Sequence, residues 1–300
     1  CLICQYQMDL GAILEQYFRR STIENEEAKL CLLVSHLDAS HEPILCELVG
    51  HALYHGLHSP SSVPAEIGEG ATDSVSQPIQ YCLLIALQKP ARFYQRFLTP
   101  VVRGHENSCK LSVVDVPEWT QAFVAKSYTD DSSGYLGTFT EKFVEELLRH
   151  IRSEVDRFCE TMKKTPGVAI VVLDNLTGLA DLGFSPRQLE RLLTGLRRAV
   201  GGNLRIFVGC HIGRAFEDAT ASELEPAFLH YLSLCRSRAS LVLDVRPLAT
   251  GYTTSLDGEI TVQEITNGII PQSKTTRTFH YKRDGRRVLC YTPGTSKLIT

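Results

Sequence analysis

The residue with the clearest chemical potential is Asp174, which ends an apolar run from Val168 to Leu173. A buried strand ending in an acid is the half of a nucleotide-hydrolysing site that holds magnesium, while the other half wraps the phosphates. The chain carries no Gly-Lys-Ser/Thr phosphate loop. Its place would be the turn after the first apolar strand, where the sequence reads His36-Leu37-Asp38-Ala39-Ser40-His41-Glu42-Pro43-Ile44. A phosphate cradle needs glycines so that backbone N–H groups converge, a lysine for the outer phosphates and a hydroxyl for the metal. This turn has no glycine and no lysine, and Asp38 and Glu42 would repel a triphosphate at the helix N-terminus that ought to attract it. The expectation is an ATPase-like scaffold without ATP chemistry, with no catalytic residue, no cofactor and no metal. The ordinary role of such an acid is to cap the following turn, here through Asn175 and Thr177.

Three other constellations are weighed in the same way. His51, His55 and His58 are spaced by four and three, which on one continuous helix would align three imidazoles for zinc. Gly56 is expected to end the helix before His58, and no acid or cysteine follows at ligand spacing, so the histidines read as shielding a helix end. Cys210-His211 follows an apolar strand, but adjacent residues on an extended chain point to opposite sides, so a thiol and its base would not meet. Arginines recur at 187, 191, 197 and 198, at 205 and 214, at 236 and 238, and at 283, 286 and 287, a pattern that usually means solvated helix faces. Arg214 stands apart because it lies in an irregular stretch, His211 to Ala221, just after a strand, and is a candidate RNA-facing residue.

The elements that must position these residues alternate in kind. Short apolar strands are expected at 30–34, 81–87, 110–114, 168–173, 204–208 and 240–245, separated by amphipathic helices, the signature of a parallel sheet covered on both faces. Helices are expected from Pro43 to His55, from Glu141 to Lys163, after the cap Ser185-Pro186 as far as Gly201-Gly202, and from the Ser222/Glu225 capping box through Leu232. Residues 58–77 and 117–140 show no period and read as surface loops, and 1–28 reads as an N-terminal extension. After Val245 the pattern becomes strands at 259–265, 278–282 and 287–290 punctuated by Asp257-Gly258, Asn267-Gly268 and Asp284-Gly285, so an antiparallel hairpin should extend the sheet. The fold class expected is α/β, RecA-like: a mainly parallel central sheet flanked by helices with an antiparallel C-terminal hairpin extension, in a single domain over residues 1–300.

Composition sets bounds on function. Hydrophobic residues make up 43% and charged residues 22% of the 300, enough to bury a large core, and a net charge of -3 excludes a generally basic nucleic-acid coat. Most of the ten cysteines fall in apolar patterns, as thiols filling a core in a reducing compartment do. Cys1 and Cys4 form a formal C-x-x-C without a strand before it. With no apolar run of about eighteen residues and no charged-then-apolar leader, a cytoplasmic protein with the nucleus as a second compartment is expected, away from membranes.

Several segments carry a resemblance. Val168-Ala-Ile-Val-Val-Leu-Asp-Asn-Leu-Thr-Gly-Leu, Gly202-Asn-Leu-Arg-Ile-Phe-Val, Ser240-Leu-Val-Leu-Asp-Val-Arg-Pro-Leu-Ala-Thr-Gly-Tyr and Asp257-Gly-Glu-Ile resemble the Elongator complex protein 6 family of RecA-like subunits. The segment Lys29 to His55, followed by Cys82-Leu-Leu-Ile-Ala-Leu, resembles the start of the same family with its degenerate phosphate loop. The resemblance implies a non-catalytic scaffold subunit that forms a hetero-hexameric ring with Elongator proteins 4 and 5 and joins the remainder of the Elongator complex. It also implies a role in modifying the wobble uridine of transfer RNA, with tRNA reached through the assembled ring. The competing classes are an ATPase with an unorthodox nucleotide site, a thiol-dependent enzyme using Cys210, and a stand-alone RNA-binding module.

Overall fold

The computed structural model describes residues 7–11, 13–14, 29–36, 39–58, 79–103, 109–130, 136–164, 167–200, 204–212, 224–251, 253, 255–266, 273–285 and 287–294. Along the chain these form β1 (Gln7–Asp9), β2 (Lys29–His36), α1 (Glu42–His58), β3 (Ile79–Ala86), α2 (Ala91–Val102), β4 (Cys109–Asp115), α3 (Val116–Asp130) and α4 (Leu136–Lys164). There follow β5 (Gly167–Asp174), α5 (Leu176–Asp181), α6 (Pro186–Val200), β6 (Leu204–Ile212), α7 (Leu224–Arg238), β7 (Leu241–Arg246), β8 (Gly258–Thr266), β9 (Ser273–Asp284) and β10 (Arg287–Tyr291).

The strands build one sheet in the order β1-β10-β9-β8-β7-β2-β6-β5-β3-β4. From β7 to β4 every pairing is parallel, and from β7 back to β1 every pairing is antiparallel. The fold is therefore α/β, with a largely parallel sheet flanked by helices and an antiparallel C-terminal extension, as the sequence rhythm implied. The extension is larger than a hairpin, because β1 from the N-terminal region adds a further antiparallel strand beside β10.

The central parallel strands β2, β3 and β5 carry near-continuous apolar runs because both faces are covered, whereas the edge strand β4 alternates buried and exposed residues. On one face Leu32, Val34, Leu83, Ile85, Val171 and Leu173 join the apolar stripe of α4 (Phe143, Leu147, Ile151, Val155, Phe158) and the leucines of α6. On the other face the alternate residues, among them Cys31, Leu33, Cys82, Leu84, Ile170 and Val172, pack under α1 and α2. The eight cysteines among the described residues are all free and buried, so the thiols serve as small apolar filling.

Two boundaries differ from the sequence reading. Residues 117–140, expected as a surface loop, are largely helical: α3 covers Val116–Asp130 and α4 begins at Leu136. Pro117 reads as loop punctuation, yet it sits in the first turn of α3, where a proline has no intrahelical hydrogen bond to lose. Asp115 supplies the start signal, accepting from Glu118 N at 3.0 Å with one oxygen and from Ala91 N at 2.6 Å with the other, so one carboxylate serves the N-termini of α2 and α3. Trp119 and Phe123 then stack on each other and against Phe143 of α4. The second difference is α1, which continues through Gly56 to His58, a glycine inside a helix costing only about 1 kcal/mol.

Other local signals hold. Ser185 and Gln188 form a reciprocal cap at the start of α6, with Ser185 N and Oγ donating to Gln188 Oε1 at 2.8 Å. Gly285, at φ +60°, makes the turn between β9 and β10 where Asp284-Gly285 marked a hairpin. Of the loop expected at 58–77, His58 ends α1 and residues 59–77 lie outside the described residues, as do the turn Asn267-Gly268 and the Ser222 cap. Among the described residues no helix is long and apolar enough to cross a membrane.

Candidate functional site

The carboxyl ends of β2, β5 and β6 meet at the centre of the sheet, the edge where ligands of α/β proteins usually bind. Asp174 ends β5 and is fully buried. His41, from the turn between β2 and α1, is 2.7 Å from its Oδ1 through Nε2, and Tyr94 of α2 donates a short hydrogen bond from its hydroxyl to Oδ2. Both carboxylate oxygens are thus engaged by side chains of the protein. The backbone carbonyl of Asp174 accepts from Leu87 N at 2.6 Å, which ties β5 to the end of β3.

The network continues beyond His41. Its Nδ1 lies 2.8 Å from Ser35 Oγ, and Ser35 Oγ lies 2.9 Å from His211 Nδ1. When His41 donates from Nε2 to Asp174, its Nδ1 is left as acceptor for the Ser35 hydroxyl, and Ser35 Oγ in turn accepts from His211 Nδ1–H. The donors run in one direction, from His211 through Ser35 and His41 to Asp174. Burial lowers the His211 imidazole below its ordinary value, and the neighbouring His41 adds to that shift. Burial raises the Tyr94 phenol, and the Asp174 charge raises it further, so Tyr94 is held as a donor.

Serine, histidine and aspartate in series have the composition of a hydrolytic triad, but the arrangement here is not that of a nucleophile. Ser35 and Asp174 are completely buried and His41 is 2% exposed. The ring nitrogens are also exchanged, with the serine on Nδ1 and the carboxylate on Nε2. Cys210 and His211 do not meet, as their adjacency on a strand implies. The Cys210 thiol sits 3.2 Å from Thr177 Oγ1 on one side of β6, while the His211 ring reaches Ser35 on the other. Burial pushes the Cys210 thiol up to about 12, which leaves it protonated and unreactive at neutral pH.

Asn175 caps the turn after Asp174, while Thr177 ties that turn to β6 instead of capping it. Asn175 Oδ1 accepts from Gly178 N at 2.6 Å as the cap of α5, and Thr177 Oγ1 donates to His211 O at 2.8 Å while accepting from His211 N at 2.9 Å. Gly209 lets this layer close. A Cβ there would stand 2.6 Å from Asp174 Oδ1 and 2.7 Å from His41 Nε2. A glycine inside a strand often marks such a close approach, so Gly209 was a signal the sequence offered for this contact.

No protein-family model and no curated protein sequence matches the chain. Among solved structures it is similar to a KaiC-like protein from the archaeon Pyrococcus horikoshii, at 11% identity over 88% of this chain and 90% of that one, with a TM-score of 0.42. It is also similar to the flagellar accessory protein FlaH from Methanocaldococcus jannaschii, at 9% identity over 90% of this chain and 91% of that one, with a TM-score of 0.44. Likenesses of this degree say nothing of chemistry, which rests on the side chains described above.

The remaining sequence candidates fall in different places. Arg214 lies outside the described residues, as do the side chains of His55 and His58. The His51 ring packs over Gly11, where a Cβ would come within 2.4 Å of it. Among the described residues no group of three or more His, Cys, Asp or Glu side chains is arranged to hold a metal.

A second charged centre, unanticipated from the sequence, lies at the end of β7. Asp244 is 3% exposed and meets His36 Nε2 at 2.7 Å, Arg236 Nη2 at 2.9 Å and Arg246 Nε at 3.1 Å. Burial alone would raise this carboxyl, but the His36 and Arg246 hydrogen bonds and the Arg236 charge outweigh it and hold the group well below the usual carboxylate range. A depressed folded-state pKa gives stability that is present above the unfolded value, about 4, and is lost as the pH falls below it. Asp244→Asn is therefore expected to lower stability by about 2 kcal/mol at pH 7. The gap from wild type should narrow in urea melts as the pH drops from about 5 to 3.

Proposed function

We propose that this chain is a non-catalytic RecA-like subunit of the Elongator complex, of the Elongator complex protein 6 type, that assembles with Elongator proteins 4 and 5 into a hetero-hexameric ring. The observation that carries the reading is the state of Asp174. The acid that would hold magnesium in a nucleotide-hydrolysing relative is buried beneath His41 and Tyr94, and His41 comes from the very turn that would wrap the phosphates. Magnesium keeps several waters and needs room for six oxygen ligands, and Gly209 shows how closely the strands approach at this point. The parallel core and antiparallel extension are consistent with such a scaffold, and the resemblance of the segments around Asp174, Asp244 and Asp257 supports the family reading. The ring would serve the modification of wobble uridine in transfer RNA, with the chemistry in another subunit, in the cytoplasm and the nucleus.

The test combines the chain with Elongator proteins 4 and 5 and measures the product by native mass spectrometry. A hexamer with two copies of each subunit is expected, and a chain that stays apart from both proteins would overturn the reading. Calorimetry of the isolated chain should give no heat of binding with magnesium ATP. Within an assembled ring, Arg214→Glu is expected to weaken RNA binding and reduce its salt dependence by about one phosphate contact without dissolving the ring. An unchanged affinity and salt slope would remove that loop from the RNA path.

A further inference from the structure

The β4 end of the sheet is built differently from the rest of the molecule. Among the described residues β4 pairs only with β3, so every second residue of this seven-residue strand turns its N–H and C=O outward. Four apolar side chains pack on the edge of the α1/α2 core while staying only partly buried: Phe93 and Phe97 of α2, and Leu111 and Val113 of β4. They belong together. Phe93 and Phe97 are one turn apart with ring centroids 5.3 Å from each other, and Leu111 and Val113 are alternate residues on the strand face beneath α2. Among the described residues, an open strand edge thus runs beside an incompletely covered apolar shelf.

Among the described residues the exposed charges of α2 are basic: Arg92 and Arg96, with Arg103 just after the helix, while Lys110 of β4 lies on the opposite face of the sheet over the Tyr81 ring. No carboxylate among the described residues forms an ion pair with Arg92, Arg96 or Arg103. The Asp115 carboxylate is already committed to the N-termini of α2 and α3. In a chain of net charge -3 this is a local reversal of sign. A second copy docking edge to edge would bring Arg92 and Arg96 against their own equivalents, and like charges across an interface oppose that pairing.

We infer that the β4 edge accepts an extended acidic segment of another protein, which adds a strand to the sheet, lays alternate apolar side chains on Phe93, Phe97, Leu111 and Val113, and sets carboxylates against Arg92, Arg96 and Arg103. Backbone hydrogen bonds to β4 supply affinity, and the shelf and the arginines supply specificity. The inference does not depend on the ring, since it concerns a strand edge that any acidic partner segment can reach.

The test titrates the full chain with a fluorescein-labelled, end-blocked peptide of about seven residues that alternates Glu with Val and Phe, following anisotropy. Saturable binding is expected, together with slowed amide hydrogen exchange in residues 109–115. Replacing the Glu positions by Lys, or N-methylating alternate backbone nitrogens, should weaken binding about tenfold or more. Arg92→Glu with Arg96→Glu should do the same while leaving the urea midpoint unchanged, and Arg152→Glu, an exposed change on α4, should have no effect. Failure of the acidic peptide to bind, indifference to N-methylation, or equal binding of the Lys peptide overturns the inference. So does binding of an oligouridylate of about ten nucleotides that the arginine changes abolish when the peptide does not bind, which would mark the shelf as a nucleic-acid surface.

Discussion

Asp174→Ala is expected to destabilise the chain by about 3 to 5 kcal/mol, because it removes one partner of a buried, hydrogen-bonded charge and leaves the others without acceptors. The donors stranded are His41 Nε2 and the Tyr94 hydroxyl, in a layer where His41 is 2% and Tyr94 1% exposed. Asp174→Asn should fall between wild type and alanine, since its oxygen satisfies one donor while its NH2 group faces the other. Tyr94→Phe should cost less, about 1 to 2 kcal/mol, the usual consequence of losing one hydrogen bond to a buried charged group. Equilibrium urea unfolding of the three variants checks the order. A magnesium site makes a different prediction, in which Asp174→Ala spares stability and abolishes nucleotide binding. The two readings of Asp174 therefore separate on a single pair of measurements, a unfolding midpoint and an ATP titration.

What the sequence made legible was periodicity, and what it hid was convergence. β5 is apolar from Ala169 to Leu173 because both faces are buried, and the turn after β9 carries Asp-Gly because Gly285 needs a positive φ, so each can be found from a short window. Asp174 was also legible as an acid ending a buried strand. Its partners were not, because they come from separate elements: His41 lies 133 residues earlier, Tyr94 stands 80 residues away on α2, and Ser35 and His211 are 176 residues apart. No local pattern encodes which imidazole will meet which carboxylate; the strand order of the sheet does. α3 was missed for a different reason. Its period is carried by half-buried aromatic and β-branched residues rather than by leucines, and Pro117 looks like a loop until Asp115 is seen to cap the helix. The arginines illustrate a third case. Arg236 reads from the sequence as part of a solvated basic surface, yet it pairs with the buried Asp244, as does Arg246 from the end of β7.

Gly209→Ala is the substitution expected to do the most damage for the fewest atoms added. The new Cβ would stand 2.6 Å from Asp174 Oδ1 and 2.7 Å from His41 Nε2, closer than real Cβ contacts come. Neither neighbour can simply swing away. Asp174 is held through both oxygens and its carbonyl, and His41 is held at both ring nitrogens. Relief therefore requires β5 and β6 to separate or the hydrogen-bonded layer to break, and overpacking of this kind costs about 1 to 3 kcal/mol or more. The coupling is also predictable. In an Asp174→Ala background the carboxylate is gone, so adding Gly209→Ala should cost at least about 1 kcal/mol less than it does in wild type. Urea midpoints for the two single variants and the double variant measure that difference. A neutral Gly209→Ala would mean that the layer has slack between the strand ends. That slack is the space a hydrated cation beside Asp174 would need, and the reading of this centre as a closed structural knot would fail with it.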